Sequence, residues 1–159
     1  MSNDMFFSAE GKKVMVVDDN EVNSMVVASM LEQFAIQVTE VYSGKDAVEK
    51  AKYEDFDVIF MDYLMPEMNG IETTEEIRKL GKVKRPAIIG LSADVTPELK
   101  SKFSRAGADN VLAKPLTLES LQQLLEEWVP KEQVASLDSK KQAGDDAKQI
   151  IEIFSQVNG

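Results

Sequence analysis

Three aspartates, a serine and a lysine stand where the short apolar runs of this 159-residue chain give way to polar residues. Val14-Met15-Val16-Val17 is followed by Asp18-Asp19, Val58-Ile59-Phe60-Met61 by Asp62, Ala87-Ile88-Ile89-Gly90-Leu91 by Ser92, and Asn110 to Ala113 by Lys114-Pro115. Crowded carboxylates repel, and without a partner at least one would hold its proton above the usual carboxylate range. A hard divalent cation relieves that repulsion, and Mg²⁺ takes a few carboxylates together with water and phosphate oxygens. A carboxylate can also attack phosphorus to give an aspartyl phosphate. That transfer needs positioning and charge neutralisation around the moving group, which a cation, the Lys114 ammonium and the Ser92 hydroxyl can supply. Each piece alone has a blander reading. Asp18-Asp19-Asn20 can be an N-cap cluster, Asp62 a loop residue, Ser92 a turn cap and Lys114-Pro115 a surface bend. It is their shared position, each at the end of an apolar run, that favours one site.

The elements that must position these groups follow from the apolar patterning. Short runs alternate with helical patterns, the signature of a parallel α/β sheet. Val22, Met25, Val26 and Met30 recur at helical spacing after the first run. A weaker strand, Gln37 to Val41, leads to Ser43-Gly44-Lys45-Asp46, which reads as a capping box opening a second helix. Gly70 to Leu80 is a polar third helix. Thr96-Pro97 supplies an N-cap with proline at the first helical position. Thr117 caps a fifth helix whose Leu121, Leu124, Leu125 and Trp128 share a face, and Pro130 stops it. Five β-α units result. In an open sheet of this kind ligands bind outside the carboxyl ends of the strands, so the three carboxylates, the hydroxyl and the ammonium converge on one rim. Beyond Pro130, Lys131 to Asp146 reads as a polar linker, and Ala147, Ile150, Ile151, Phe154 and Val157 as a short amphipathic helix.

Composition removes several function classes. The chain has neither cysteine nor histidine. Disulfides, thiolate and imidazole metal sites, Ser-His triads and an internal phosphohistidine are therefore excluded, and a cytoplasmic location fits. The net charge of −10 argues against non-specific binding to nucleic acid or acidic membranes. No run approaches the length of a membrane span, and Met1 to Ala9 has no signal-peptide pattern.

Val16-Val17-Asp18-Asp19-Asn20, the stretch Met61-Asp62-Tyr63-Leu64-Met65-Pro66-Glu67-Met68-Asn69-Gly70, Leu91-Ser92-Ala93 and Ala113-Lys114-Pro115 together resemble the receiver domains of response regulators. The separations between Asp62, Ser92 and Lys114 agree as well. The resemblance implies a flavodoxin-like, three-layer (βα)5 sandwich with strand order 2-1-3-4-5, an order for which a receiver is a standard example. It implies a receiver over residues 12–129, with 130–159 as linker and tail. It also implies that Asp62 is the phosphoacceptor. Asp18, Asp19, Asp62 and the backbone carbonyl of Leu64 would hold Mg²⁺, with Asp18 acting largely through water. Lys114, with a cis bond to Pro115, would pair with the phosphoryl group, and Ser92 would be the switch hydroxyl. Val111 departs from the pattern, since many relatives carry an aromatic there that rotates inward on activation. Leu64 occupies a variable position that faces the site, and its apolar side chain cannot position an attacking water.

The sequence around Asp18-Asp19-Asn20-Glu21-Val22-Asn23 is most like receivers attached to hybrid sensor histidine kinases. Phe6 to Lys13 resembles the lead-in from an ATP-binding domain, and the tail the approach to a histidine phosphotransfer domain. The partner implied is a histidine kinase or a histidine phosphotransfer domain, in a parent protein that can be membrane-associated. A stand-alone single-domain regulator is the alternative. A phosphatase of the haloacid dehalogenase type fails because Asn20 and Leu64 stand where it needs a second acid. A flavodoxin-like cofactor binder lacks its Gly-rich loop after the first strand. An interaction module that is never phosphorylated is disfavoured by the complete set of acceptor residues.

Overall fold

A computed structural model describes residues 10–128. The predicted linker and amphipathic stretch beyond Pro130, and the first half of the lead-in, lie outside these residues. The elements are β1 Lys13–Val17, α1 Glu21–Glu32, β2 Gln37–Val41, α2 Gly44–Tyr53, β3 Val58–Asp62, α3 Gly70–Lys79, β4 Ala87–Ser92, α4 Pro97–Ala106, β5 Asn110–Ala113 and α5 Leu118–Trp128. The strands pair in parallel in the order β2-β1-β3-β4-β5, as the resemblance implies.

Alternation along the central strands feeds two cores. Val14 and Val16 of β1, with Val58 and Phe60 of β3, pack against Leu31 of α1 and Leu121, Leu124 and Leu125 of α5. Met15, Val17, Ile59 and Met61 point the other way, against Ala47 of α2, Ile77 of α3, and Leu99 and Phe103 of α4. Helices therefore cover both faces, giving three layers. No helix among the described residues is long and apolar enough to cross a membrane.

Several helix boundaries follow from side-chain caps. Asn20 Oδ1 accepts from the N–H groups of Val22 and Asn23 at the start of α1. Thr96 Oγ1 accepts from Leu99 N–H ahead of Pro97, and Thr117 Oγ1 from Ser120 N–H, as their types predict. Ser43 accepts from Asp46 N–H, which is only half of the expected capping box. A full box forms instead at α3, where Asn69 accepts from Glu72 N–H and the Glu72 carboxylate accepts from Asn69 N–H.

The orientation of α1 departs from the simplest reading of its spacing. Val22, Met25 and Val26 are 63%, 54% and 48% exposed, and the buried positions are Ser24, Ala28 and Leu31. Apolar residues occur on both sides of this helix, so periodicity identifies the helix without identifying its inner face.

At the end of the sheet away from the strand carboxyl termini, Asp57 ties β1 to β3. Its Oδ2 accepts from Lys13 N–H at 2.8 Å, and Lys84 Nζ lies 2.8 Å from Oδ1. Burial pushes its pKa up, but the Lys84 hydrogen bond, the Lys13 N–H and the Lys84 charge outweigh it and hold the carboxyl below its usual range. A depressed folded-state pKa adds stability above the unfolded value and loses it as pH falls through the folded one. Asp57→Asn is therefore expected to lower stability by about 1 kcal/mol at neutral pH, a figure discounted for the half-exposed Lys84. The deficit should shrink below the pKa of an ordinary aspartate, and urea denaturation at neutral and acidic pH measures both.

Candidate functional site

Asp18 follows β1 directly, and Asp62 is the last residue of β3, its neighbour in the sheet. Lys114 follows β5 from the far edge. Its ammonium lies 2.6 Å from Asp62 Oδ1 and 3.5 Å from Asp18 Oδ2. The bond from Lys114 to Pro115 is cis. Asp18 and Asp62 are 4% and 5% exposed, whereas Asp19 is open to solvent. One carboxylate oxygen from each of the three lies within 4.8 Å of the others.

Capping and charge are divided between neighbours here. Asn20, not either aspartate, caps α1, and its own N–H donates to Asp18 Oδ1 at 2.9 Å. Asp18 Oδ2 is left to face Lys114, and Asp19 is free of any capping role. The N-cap reading of Asp18-Asp19-Asn20 thus holds for Asn20 without consuming the carboxylates.

One ammonium among three carboxylates leaves an excess of negative charge. Burial raises the pKa of Asp62; the hydrogen bond from Lys114 opposes this, and the charges of Asp18 and Asp19 add to the rise. For Lys114, burial acts to lower the pKa, but the Asp62 hydrogen bond and the charges of Asp62 and Asp18 prevail and raise it. The lysine therefore stays an ammonium. Clustered hard oxygen donors with unneutralised charge suit a small divalent cation.

Ser92 ends β4, next to Asp62 in the sheet order, and is nearly buried at 9%. Its hydroxyl is engaged by Asp94, at 3.2 Å from both the Asp94 N–H and the Asp94 carbonyl. Leu64 lies two residues past Asp62 and is 71% exposed, so its side chain turns to solvent. The structure thus gathers Asp18, Asp19, Asp62 and Lys114, and holds Ser92 at the same rim in a turn of its own.

Two contributors were not singled out by residue chemistry. Asp94 holds the serine. Gly70 lets the start of α3 approach the end of β3: an added Cβ there would fall on the Asp62 carbonyl oxygen. Its N–H donates to the Tyr63 carbonyl at 2.8 Å, while Tyr63 N–H donates to the Leu91 carbonyl at 2.9 Å. Together these bonds clamp the backbone just past Asp62. The Asn69-Gly70 pair, a cap followed by a residue without a side chain, was the available signal.

A family model described as the response regulator receiver domain matches residues 14–126. The autoinducer 2 sensor kinase/phosphatase LuxQ of Vibrio vulnificus is 38% identical over 112 residues, which are 70% of this chain and 13% of that protein. This chain therefore spans a small part of the length of such curated relatives. The receiver domain of sensor histidine kinase PA1611 from Pseudomonas aeruginosa, solved with magnesium in its active site cleft, is 34% identical with a TM-score of 0.69. That match covers 75% of this chain and 98% of the other. The Vibrio cholerae chemotaxis protein CheY4 is 32% identical, with a TM-score of 0.70 over 74% of this chain and 98% of its own.

Proposed function

This chain belongs to the response regulator receiver domain family, and we propose on that premise that Asp62 accepts a phosphoryl group from a phosphohistidine in a phosphorelay. An Asp62 oxygen attacks phosphorus, the new P–O bond forms as the P–N bond breaks, and the electron pair stays on the donor imidazole nitrogen. The chain has no histidine of its own, so the donor lies in another domain or protein.

The observation that carries this reading is the Lys114 ammonium held 2.6 Å from a buried aspartate that two further carboxylates surround. A nucleophile with a fixed counter-cation and room for a second one matches the charge that phosphoryl transfer develops. Asp18, Asp19, Asp62 and the Leu64 backbone carbonyl are the groups that would hold Mg²⁺, which when bound offsets the charge of the carboxylates and the phosphoryl oxygens. Lys114 pairs with the transferred group, and Ser92 donates its hydroxyl to a phosphoryl oxygen. A receiver unit over residues 12–129, with 130–159 joining it to a further domain, fits a hybrid sensor histidine kinase. The donor is then the kinase's own histidine or a histidine phosphotransfer domain, and the receiver works in the cytoplasm.

The test uses acetyl phosphate as a small donor and intact mass as the readout. With Mg²⁺ one phosphoryl group should add to the chain, and a chelator should abolish the gain. A gain that is equal in the presence of chelator would remove the metal from the mechanism.

A further inference from the structure

We infer that Tyr63 is the positioning residue through which α4 reads the state of Asp62 and Ser92; this rests on the phosphoacceptor reading above. Tyr63 follows Asp62 in the chain, and its backbone is fixed by the bonds to Leu91 and Gly70. Its ring meets Phe103 of α4 edge to face, with centroids 6.0 Å apart at 67°. Such a contact is directional and adds to simple burial.

Phe103 is the deepest anchor of α4, whose first turn also places Leu99 in the same core at 7% exposure. Phe103 itself is fully buried, and its ring occupies the space over Gly90 of β4, where an added Cβ would lie 2.9 Å from two ring carbons. The β5 residue beside Gly90 in the sheet is Val111, so no aromatic from β5 competes for that place.

The first turn of α4 is held differently. A cleft of about 310 Å³ separates Tyr63, Leu64 and Ser92 from Thr96, Leu99 and Lys102. What spans the cleft's end is the turn in which Ser92 Oγ bonds Asp94. A serine hydroxyl has one proton to donate. Drawn to a phosphoryl oxygen, it gives up the Asp94 carbonyl, and the turn slackens. The helix, pinned at Phe103 and released at Thr96, then pivots into the cleft. The Tyr63 ring bears on the pin and walls the free space, so it sets how far α4 moves. Packed elements of this kind shift between discrete arrangements rather than yielding continuously.

The test follows the backbone amides of Lys100, Lys102 and Ser104 by NMR, with intact mass in parallel, before and after acetyl phosphate and Mg²⁺. Wild type and Tyr63→Phe, which keeps the ring, should show the α4 shifts. Tyr63→Ala should gain the same mass and keep the shifts at Asp19 and Lys114, but lose most of those in α4. Tyr63→Leu, which retains apolar bulk and guards against simple unfolding, should behave like Tyr63→Ala. Full α4 shifts in either variant, or no α4 shift in phosphorylated wild type, overturns the inference. A wild-type chain that gains no mass sinks the phosphoacceptor reading itself, a result readable apart from the variants.

Discussion

Asp62→Asn is expected to gain no phosphoryl mass under conditions in which the wild-type chain gains one. The substitution keeps the shape of the side chain and removes the carboxylate that attacks phosphorus. It also leaves Lys114 without its 2.6 Å partner, although Asp18 remains 3.5 Å away. The variant should nevertheless fold. Burial and two like charges already raise the Asp62 pKa, so folding favours the uncharged form of this side chain, and an amide supplies a permanently uncharged one. Thermal unfolding should show a Tm no lower than wild type, which separates loss of the acceptor from loss of the fold. An equal gain of mass in Asp62→Asn would reassign the acceptor to Asp18 or Asp19.

The second large effect should come from a residue that carries no functional group. In Gly70→Ala the new methyl would overlap the Asp62 carbonyl oxygen and crowd the Asp62 carbonyl carbon and Met61 Cγ. Two of these are backbone atoms clamped by the sheet and cannot swing aside as a flexible side chain would. Overpacking a rigid contact typically costs 1–3 kcal/mol, and about 3 kcal/mol is expected here. Relief by moving α3 would shift the end of β3, and a displacement of about 1 Å at a reacting group can cost about 100-fold in rate. Urea denaturation and the initial rate of phosphorylation should therefore both fall. A loss of stability with an unchanged rate would mean that α3 moves without disturbing Asp62.

The parts of the fold legible in the sequence are those where one residue type has one physical use. Val58 to Met61 reads as a buried parallel strand because apolar residues are needed on both of its faces, and it is buried throughout. Thr96-Pro97 marks a helix start because a side-chain acceptor precedes a residue with no N–H to satisfy. Residues with two uses were less readable. The apolar residues of α1 lie on both sides, and which of them faced inward depended on the neighbouring strands. Asn69 carries the full capping box that Ser43-Gly44-Lys45-Asp46 was expected to supply, because the reciprocal bond depends on a side-chain orientation that residue type leaves open. At the site, strand ends located the carboxylates, Ser92 and Lys114. The grip of Asp94 on Ser92 and the need for glycine at position 70 arise only once β3, β4 and α3 are packed.

The strand order has a consequence for how the protein is made. After β1, β2 and β3 have come together, β4 and then β5 each add to an edge that already exists, so the sheet can widen in the direction of synthesis. Asp18 and Asp62 are present from the first stage, but Lys114 arrives only with the last strand. A chain in which β5 has not docked therefore carries its acidic cluster without the ammonium. The charge balance around Asp62 is thus set by the last strand to join the sheet.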